Sequence, residues 1–558
     1  MKENSLIWLF TKIQKRVPAV FVLTAAQLGN ALFSVLFALG SRGVIDSASA
    51  GDVSALYKAC FCQFGIILGI ILCMAVSRHL KERLTADLDM DWKRYLLHRL
   101  IHGEYASVKQ YHSAELLNRM NNDVAKVNDG ILSILPGLAS MIMRLSAAVV
   151  VLGVLDPRFT AIIVFLGIMV VVATGFMRRW MKDLNKLVST HDGRVSGFLQ
   201  ETLEKLLMVQ SMDASQEVEK RSDVMMEERY YILRKRKNVS LITNTGISVI
   251  FYGAGFFTLC WCAWKMFHGQ MTFGSLTAVI QLVNQIQSPF LNLSGIIPQY
   301  VAMTASTERL MELDQIRSQS DIMEENRDAL YKSMRCIMAE KLSFSYEDDN
   351  ILEDAEFMLP KGAFAVITGP SGVGKSTLLK LLLGVYSPDS GELHINCGSC
   401  SKKLDRSTRS LFAYVPQGNL LMSGTIRDNL TIVKPDASEE EIRNATYVSA
   451  MDEFLPQLPM GLDTVLGESG AGLSEGQAQR LAIARAILGG APILLLDECT
   501  SALDEDTEKT VLRRIRALPG RTCVAVTHRP AAIKLCDWRL QVNDGKIHAV
   551  WVDSRMSE

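Results

Sequence analysis

The sequence has no excess of either charge: 59 Lys and Arg balance 59 Asp and Glu over 558 residues. That balance removes bulk electrostatics as a reason to bind nucleic acid, and it removes the acidic surplus of a disordered chain. Cysteine is scattered, 11 residues in all with several in or beside apolar runs, so no secreted disulfide framework is present. Cys397-Gly-Ser-Cys400 has no second pair nearby at metal-ligand spacing, which leaves zinc without a site. Met1–Arg16 is too polar for a signal peptide and has no small-residue cleavage site. No protease-sized segment precedes the first apolar run, so leader-peptide cleavage is not expected. Apolar sequence, in contrast, is abundant: 49% of residues, with 21% still charged and a mean hydropathy of +0.16. Such a mixture suits a chain that is part membrane and part soluble, long enough for more than one core.

Long stretches without charge divide the first 307 residues. Val17–Ser41, Ala59–Ser77, Phe159–Met177 and Asn238–Trp264 have no Asp, Glu, Lys or Arg, and Gly130–Leu155 has only Arg144. Met266–Thr307 is also free of them and holds a sixth run near 275–300. Each supplies the roughly 20 residues that a helix needs to cross the hydrocarbon. Nine Lys and Arg lie between Arg78 and Lys126 and thirteen between Arg178 and Lys237, whereas the opposite loops hold Arg42, Lys58, Arg158 and Lys265. Basic loops stay inside, so the N-terminus and everything after the sixth span are expected in the cytoplasm. Residues 1–16 read as an interfacial helix with Leu6, Trp8, Leu9 and Phe10 toward lipid. The fold class expected is a multidomain membrane protein. An all-α transmembrane domain over 17–307, its helices extended into the cytosol, is followed by a linker at 308–329 and an α/β domain over 330–558.

The α/β half carries chemistry. Phe364–Thr368 is a short apolar strand, Gly369-Pro-Ser-Gly-Val-Gly-Lys-Ser-Thr377 follows, and a helical run begins at Leu378. This is G-x-x-x-x-G-K-S in its strand–loop–helix setting. Gly369, Gly372 and Gly374 let the backbone wrap phosphates, together with Pro370, Ser371, Val373 and Thr377 of the same loop. Lys375 reaches the β- and γ-phosphates and the Ser376 hydroxyl is placed to ligate Mg²⁺. Ile493-Leu-Leu-Leu-Asp497-Glu498 reads as a buried parallel strand that delivers two carboxylates to that loop. Asp497 would hold the Mg²⁺ shell, and Glu498 would polarise the attacking water.

These elements, with five further motifs in order, resemble the nucleotide-binding domain of ATP-binding cassette (ABC) transporters. The resemblance implies that Tyr346, in Phe344-Ser-Tyr346, stacks on adenine and that Gln417, in Tyr414-Val-Pro-Gln417, touches Mg²⁺. It implies that Ser474, Gly476 and Gln477, in Leu473-Ser-Glu-Gly-Gln477, grip the ATP of a partner subunit. Asp504, in Ser501-Ala-Leu-Asp504, falls in the loop connecting two ATP sites, and His528 matches the switch histidine at the γ-phosphate. Six spans in the same chain make it similar to an exporter-type half-transporter. Segments around Tyr111–Asn118 and Leu207–Ala214 then match that family's coupling helices. A dimer with two sandwiched ATPs follows, of two identical copies or of this chain with a related half-transporter.

The family's signature reads L-S-G-G-Q, and Glu475 replaces its first glycine. Either that carboxylate repels ATP, or it turns aside at a helix start where negative charge suits the dipole. In the sixth run Gln281, Gln285, Ser288, Asn292 and Gln299 recur at helical spacing, as a translocation wall or as helix–helix hydrogen bonds. Arg144 either meets an anion in a cavity or snorkels. The expected function is ATP-driven export of an amphipathic or lipophilic drug, lipid or peptide through a bacterial plasma membrane. The alternatives are an exporter-shaped importer of a metal chelate and, at a distance, an ATP-gated channel.

Overall fold

The structure, a computed structural model, describes residues 2–317, 326–346, 349–398, 400–418, 421–467 and 470–552. The side chains at 2–4, 170–180, 182, 288–295 and 297 stand outside that description, and with them Ser288 and Asn292 of the polar stripe. The chain forms two compact units, Met1–His98 with Ser113–Gln315, and Arg99–His112 with Ile316–Glu558.

Helices account for the chain up to residue 314: α1 (Lys2–Lys12), α2 (Val17–Ala50), α3 (Val53–Ile101), α4 (Tyr105–Lys109) and α5 (Ser113–Asn118) come first. Then follow α6 (Val124–Leu155), α7 (Pro157–Glu204), α8 (Leu206–Ser211), α9 (Ser215–Phe267) and α10 (Phe273–Asp314). Their ends carry the expected signals. Pro18 opens α2, which stops at Gly51 in the left-handed region at φ +72°. Asp156 caps α7 and Thr272 caps α10. Among the described residues, four helical runs are long and apolar enough to cross a membrane: Gln14–Ala50, Val53–Ile101, Ser113–Leu155 and Ser215–Phe267. The expected runs at 159–177 and 275–300 fall within α7 and α10.

Within this first unit Ala38, Leu152, Phe159 and Leu282 join α2, α6, α7 and α10 in one apolar core. Two buried carboxylates lock its loops. Asp156 accepts hydrogen bonds from Trp261 Nε1 at 3.0 Å and Lys265 Nζ at 2.5 Å. Asp123, 1% exposed at the end of a single π turn over Arg119–Asp123, accepts from Arg309 Nε at 2.7 Å and Ser306 Oγ at 3.0 Å. The N-terminal helix differs from expectation. Leu9 is buried and Trp8 packs on Trp92 with ring centroids 5.6 Å apart, while Ile7 and Phe10 are exposed. Trp8 Nε1 donates to Asp314 at 2.7 Å, and Lys12 and Tyr95 bind the same carboxylate. A polar hub therefore turns Trp8 inward, where hydropathy alone sends it to lipid. The expected linker at 308–329 also begins as helix, because α10 continues to Asp314 with Leu310 and Leu313 fully buried.

The second unit is built on strands. β1 (Cys336–Tyr346), β2 (Asp349–Pro360), β4 (Ser390–Asn396) and β5 (Ser401–Lys403) form an antiparallel sheet in the order β2-β1-β4-β5. β3 (Phe364–Thr368), β6 (Phe412–Val415), β9 (Ile493–Asp497), β10 (Thr522–Val526), β11 (Trp538–Asn543) and β12 (Lys546–Trp551) form the second, in the order β12-β11-β3-β10-β9-β6. β7 (Gly424–Thr425) and β8 (Val465–Leu466) make a small pair. The helices are α11 (Arg327–Ser333), α12 (Lys375–Leu382), α13 (Ile426–Thr431), α14 (Glu439–Val448), α15 (Glu475–Leu488), α16 (Glu505–Arg516) and α17 (Pro530–Leu535). In the six-stranded sheet all but β12 run parallel, and β3, β9 and β10 are buried on both faces. Alternation sorts their side chains. Leu494, Leu496 and Val366 enter one core, and Ile493, Leu495 and Ile367 enter the other. Parallel strands end together, so the loops after β3, β9 and β10 meet along one edge.

Candidate functional site

At that edge β3 leads into Gly369–Gly374 and α12. Gly369 sits at φ +154° with Val542 O only 2.3 Å from where a Cβ would stand, and Gly374 sits at φ +102° with Ile351 equally close. No larger residue fits at either position without displacing backbone or strand, so the loop keeps its tight path. Lys375 is 6% exposed, and its ammonium donates to Gly369 O at 3.0 Å and Pro370 O at 2.7 Å. Among the described residues no carboxylate pairs with it. A buried cation held by carbonyls alone is a ready partner for phosphate.

β9 brings its two acids to the same place. Asp497, 2% exposed, accepts from Ser376 Oγ at 2.9 Å through Oδ1 and from Tyr414 OH at 2.9 Å through Oδ2. Burial pushes this carboxyl above its ordinary range, and the two hydroxyl donors only partly offset that. The Tyr414 phenol is pushed up by burial and by the carboxylate beside it. Glu498 takes the left-handed backbone at φ +47°, anchored by its N–H to Val526 O at 3.0 Å. Its Oε2 accepts from Gln417 Nε2 at 2.7 Å. Lys375, Ser376, Gln417, Asp497 and Glu498 thus gather at one edge of the sheet. His528 is exposed two residues past the end of β10, the strand next to β9.

Tyr346 closes the other flank, with Thr377 Oγ1 donating to its hydroxyl at 3.4 Å. Its ring stands edge-on to Phe344 at 4.9 Å and Tyr386 at 5.4 Å, and Tyr105 of α4 meets Tyr386 at 6.2 Å. The Tyr386 phenol is pushed up to about 12, chiefly by burial. The signature segment is built differently. Ser474 caps α15 in a reciprocal box, its Oγ accepting from Gln477 N at 3.3 Å while Gln477 Oε1 accepts from Ser474 N at 2.9 Å. Glu475 is exposed in the first turn of that helix. Asp504 caps α16 through Thr507 N at 2.9 Å. Among the described residues no hydrogen bond joins Ser474 or Gly476 to the phosphate loop of the same chain.

Residues 18–290 match the model of the ABC transporter transmembrane region, and residues 352–501 match that of the ABC transporter. The chain belongs to the ABC transporters. It is 26% identical over 550 residues to an ATP-dependent lipid A-core flippase of Vibrio vulnificus, covering 97% of this chain and 93% of the relative. It is 34% identical over 285 residues to the mycobactin import ATP-binding/permease protein IrtB of Mycolicibacterium smegmatis, 51% of this chain and 49% of that one. A bacterial Atm1-family ABC exporter with ATP bound has the same fold, with a TM-score of 0.79 at 22% identity over 96% of this chain and 94% of that chain. The ABC transporter is therefore an exporter-type half-transporter. Its N-terminal membrane region is fused to an ATP-binding domain whose hydrolysis is coupled to transport.

Three contributors escape the motifs. Tyr414 stands inside a quoted motif, yet only the parallel pairing of β6 with β9 shows that its hydroxyl meets Asp497. Gln479 and Arg529 neighbour the signature and the switch histidine, and the loop after β9 lies between them. A polar residue one or two places from a motif is the one signal the sequence offers for Gln479 and Arg529.

Proposed function

We propose that this ABC transporter hydrolyses Mg-ATP at two composite sites of a homodimer and thereby exports an amphipathic or lipophilic compound from a bacterial cytoplasm. The observation that carries the reading is the buried, uncompensated Lys375 beside the Ser376–Asp497 pair at the mouth of a glycine loop. The donor set fits magnesium: a hydroxyl, a carboxylate and the Gln417 amide oxygen are the hard ligands that this ion takes. Ser376, Asp497 and Gln417 would hold it, and when bound it neutralises phosphate charge.

Around it the chain's own residues divide the work. Backbone N–H groups of Gly369–Thr377 cradle the phosphates, with Pro370, Ser371, Gly372 and Val373 shaping the loop, and Lys375 supplies the charge. Tyr346 stacks on adenine. Glu498, kept in place by Gln417, orients and polarises the attacking water, and His528 meets the γ-phosphate. Ser474, Gly476 and Gln477 of the second copy close the site from outside, with Asp504 near the seam. Membrane lipid surrounds the apolar runs of α2, α3, α6, α7, α9 and α10, and the N-terminus and the ATP-binding domain face the cytoplasm, where the basic loops lie.

Arg144 refines the cargo. It lies mid-way along α6, its Nε is buried without a hydrogen-bond partner among the described residues, and none of the six apolar runs contains an acid to neutralise it. Compounds with an acidic group and an apolar body are favoured. The amides of Gln285 and Gln299 donate to backbone carbonyls of Ser34 and Asp129 on neighbouring helices, which supports the helix-bonding role of that stripe. The import relative supports one rival, uptake of a metal chelate. Transport by inverted vesicles decides direction: ATP-dependent accumulation of an acidic amphiphile inside them supports export, and ATP-dependent loss reverses it. A panel of neutral, acidic and basic amphiphiles, none of which stimulates ATP hydrolysis by the reconstituted protein, would refute the cargo class.

A further inference from the structure

The loop Ser501–Asp504 is held from two sides. Gln479, buried on α15 two residues beyond Gln477, donates Nε2 to Ser501 Oγ at 3.1 Å and accepts the Ala502 N–H at 3.1 Å. Arg529, the residue after His528, donates Nη1 to Leu503 O at 2.7 Å and Nη2 to the carbonyl of Ser501. The same guanidinium pairs with Glu508 Oε2 at 3.2 Å, and Glu508, 1% exposed, also accepts from Thr500 Oγ1 at 2.9 Å. Gly476 completes the contact: a Cβ there would stand 2.9 Å from Ala502 O, so the signature glycine lies directly against the loop. The polar groups from Ser501 to Leu503 are thereby fixed to the signature helix on one flank and to the switch segment on the other.

We propose that Arg529 and Gln479 are positioning residues that make this loop a rigid strut between two ATP sites. One is the site to which His528 and Glu498 belong, and the other is the site that Ser474 and Gly476 complete for the partner copy. This rests on the composite dimer proposed above. Their effect is transmitted through the backbone of residues 501–503. The fork of Arg529 is suited to the task because a planar guanidinium spans two carbonyls and a carboxylate at once, which a lysine ammonium cannot do in the same geometry. A movement of His528 on nucleotide loss therefore drags Ser501 and Leu503, and Gln479 passes the displacement to the first turn of α15.

The test uses the full-length protein in lipid vesicles, with basal ATP hydrolysis read without any transported compound, so it stands apart from the cargo assignment. Arg529→Ala and Gln479→Ala are each expected to lower kcat about 10- to 100-fold, the loss typical of reacting groups misplaced by an ångström or so. Binding of a fluorescent ATP analogue without magnesium should stay within about twofold, since ground-state contacts are untouched. Arg529→Lys keeps the charge opposite Glu508 and should recover thermal stability while retaining most of the kcat loss. The double variant should be no more than about threefold below the worse single one, because one strut is lost only once. Parental kcat in Arg529→Lys would reduce Arg529 to an ion-pair partner, and multiplied losses in the double variant would make the two residues independent; either outcome overturns the proposal. If Arg529→Ala does not fold, the lysine and Gln479 variants carry the same comparison. Dimer formation is scored separately, by ATP-dependent cross-linking of Glu498→Gln, so an absent dimer is distinguishable from an absent strut.

Discussion

Removing Arg309 leaves Asp123 ionised, 1% exposed, with a hydrogen bond from Ser306 Oγ at 3.0 Å and a longer ion pair to Lys126 Nζ at 3.8 Å. Burial alone would raise this carboxyl, but the hydrogen bonds from Arg309 and Ser306 outweigh it and hold the group below its ordinary 3.8. Breaking a buried pair from one side costs about 3–5 kcal/mol. Arg309 is 43% exposed, and one hydrogen bond and one longer ion pair survive its loss, so about 2 kcal/mol is the working figure here. Asp123→Asn removes the charge that needs compensation, and the double variant Asp123→Asn/Arg309→Met should therefore be more stable than Arg309→Ala alone. The sign with pH follows. In the parent the depressed carboxyl contributes stability above its ordinary value, and that contribution is lost as pH falls through the lower folded value. In Arg309→Ala burial prevails and the folded value rises above the ordinary one, so stability is greatest in acid and declines as pH increases through it. Melting of the purified protein at pH 5 and pH 8 should show a gap between parent and Arg309→Ala that is smaller at pH 5. An equal gap at both pH values, or a double variant weaker than Arg309→Ala, would refute the reasoning.

Lys375→Ala should abolish tight ATP binding, measured with a fluorescent analogue, since it removes the buried cation at the glycine loop; parental affinity would place the nucleotide elsewhere. Glu498→Gln should slow hydrolysis by roughly 10²–10⁴ with ATP still bound, as expected for loss of a general base, and near-normal turnover would displace the carboxylate from that role. Tyr414→Phe deletes one of two donors to Asp497, so its already raised carboxyl climbs further, and the acid limb of the hydrolysis profile should shift to higher pH. An unchanged limb would mean that Asp497 does not limit activity in acid. The exposed Glu475 should let the chain expressed alone hydrolyse ATP as well as Glu475→Gly does; an inert parent rescued by glycine would point to a heterodimer.

Much of this site is legible because its chemistry is local. The strand, glycine loop and lysine of 364–376 lie within one short segment, and the apolar run before Asp497 declares its own burial. Four of the apolar runs are legible for the same reason, since charge-free length is a one-dimensional property. What stays hidden depends on tertiary register. Nothing at Trp8 announces that Asp314, some three hundred residues away, will take its indole N–H, so an amphipathic reading sends it to lipid. Hydropathy likewise ends the sixth helix at Thr307, whereas Leu310, Leu313 and the hub at Asp314 carry it on. Gln285 and Gln299 illustrate the limit of periodicity: spacing finds a polar stripe, but only the neighbouring backbones show that their amides bind helices.

The left-handed turn at Glu498 has a cost outside catalysis. An L-residue held at φ +47° is destabilised relative to glycine by about 1 kcal/mol. Glycine there would relieve that strain and discard the carboxylate proposed to polarise water. Glu498→Gly should therefore melt at a higher temperature than the parent while hydrolysing nothing. Selection for ruggedness alone, as in a thermostability screen blind to turnover, would drift toward an inert protein at this position. Any stabilising campaign on this transporter should hold residue 498 fixed and seek its gains elsewhere.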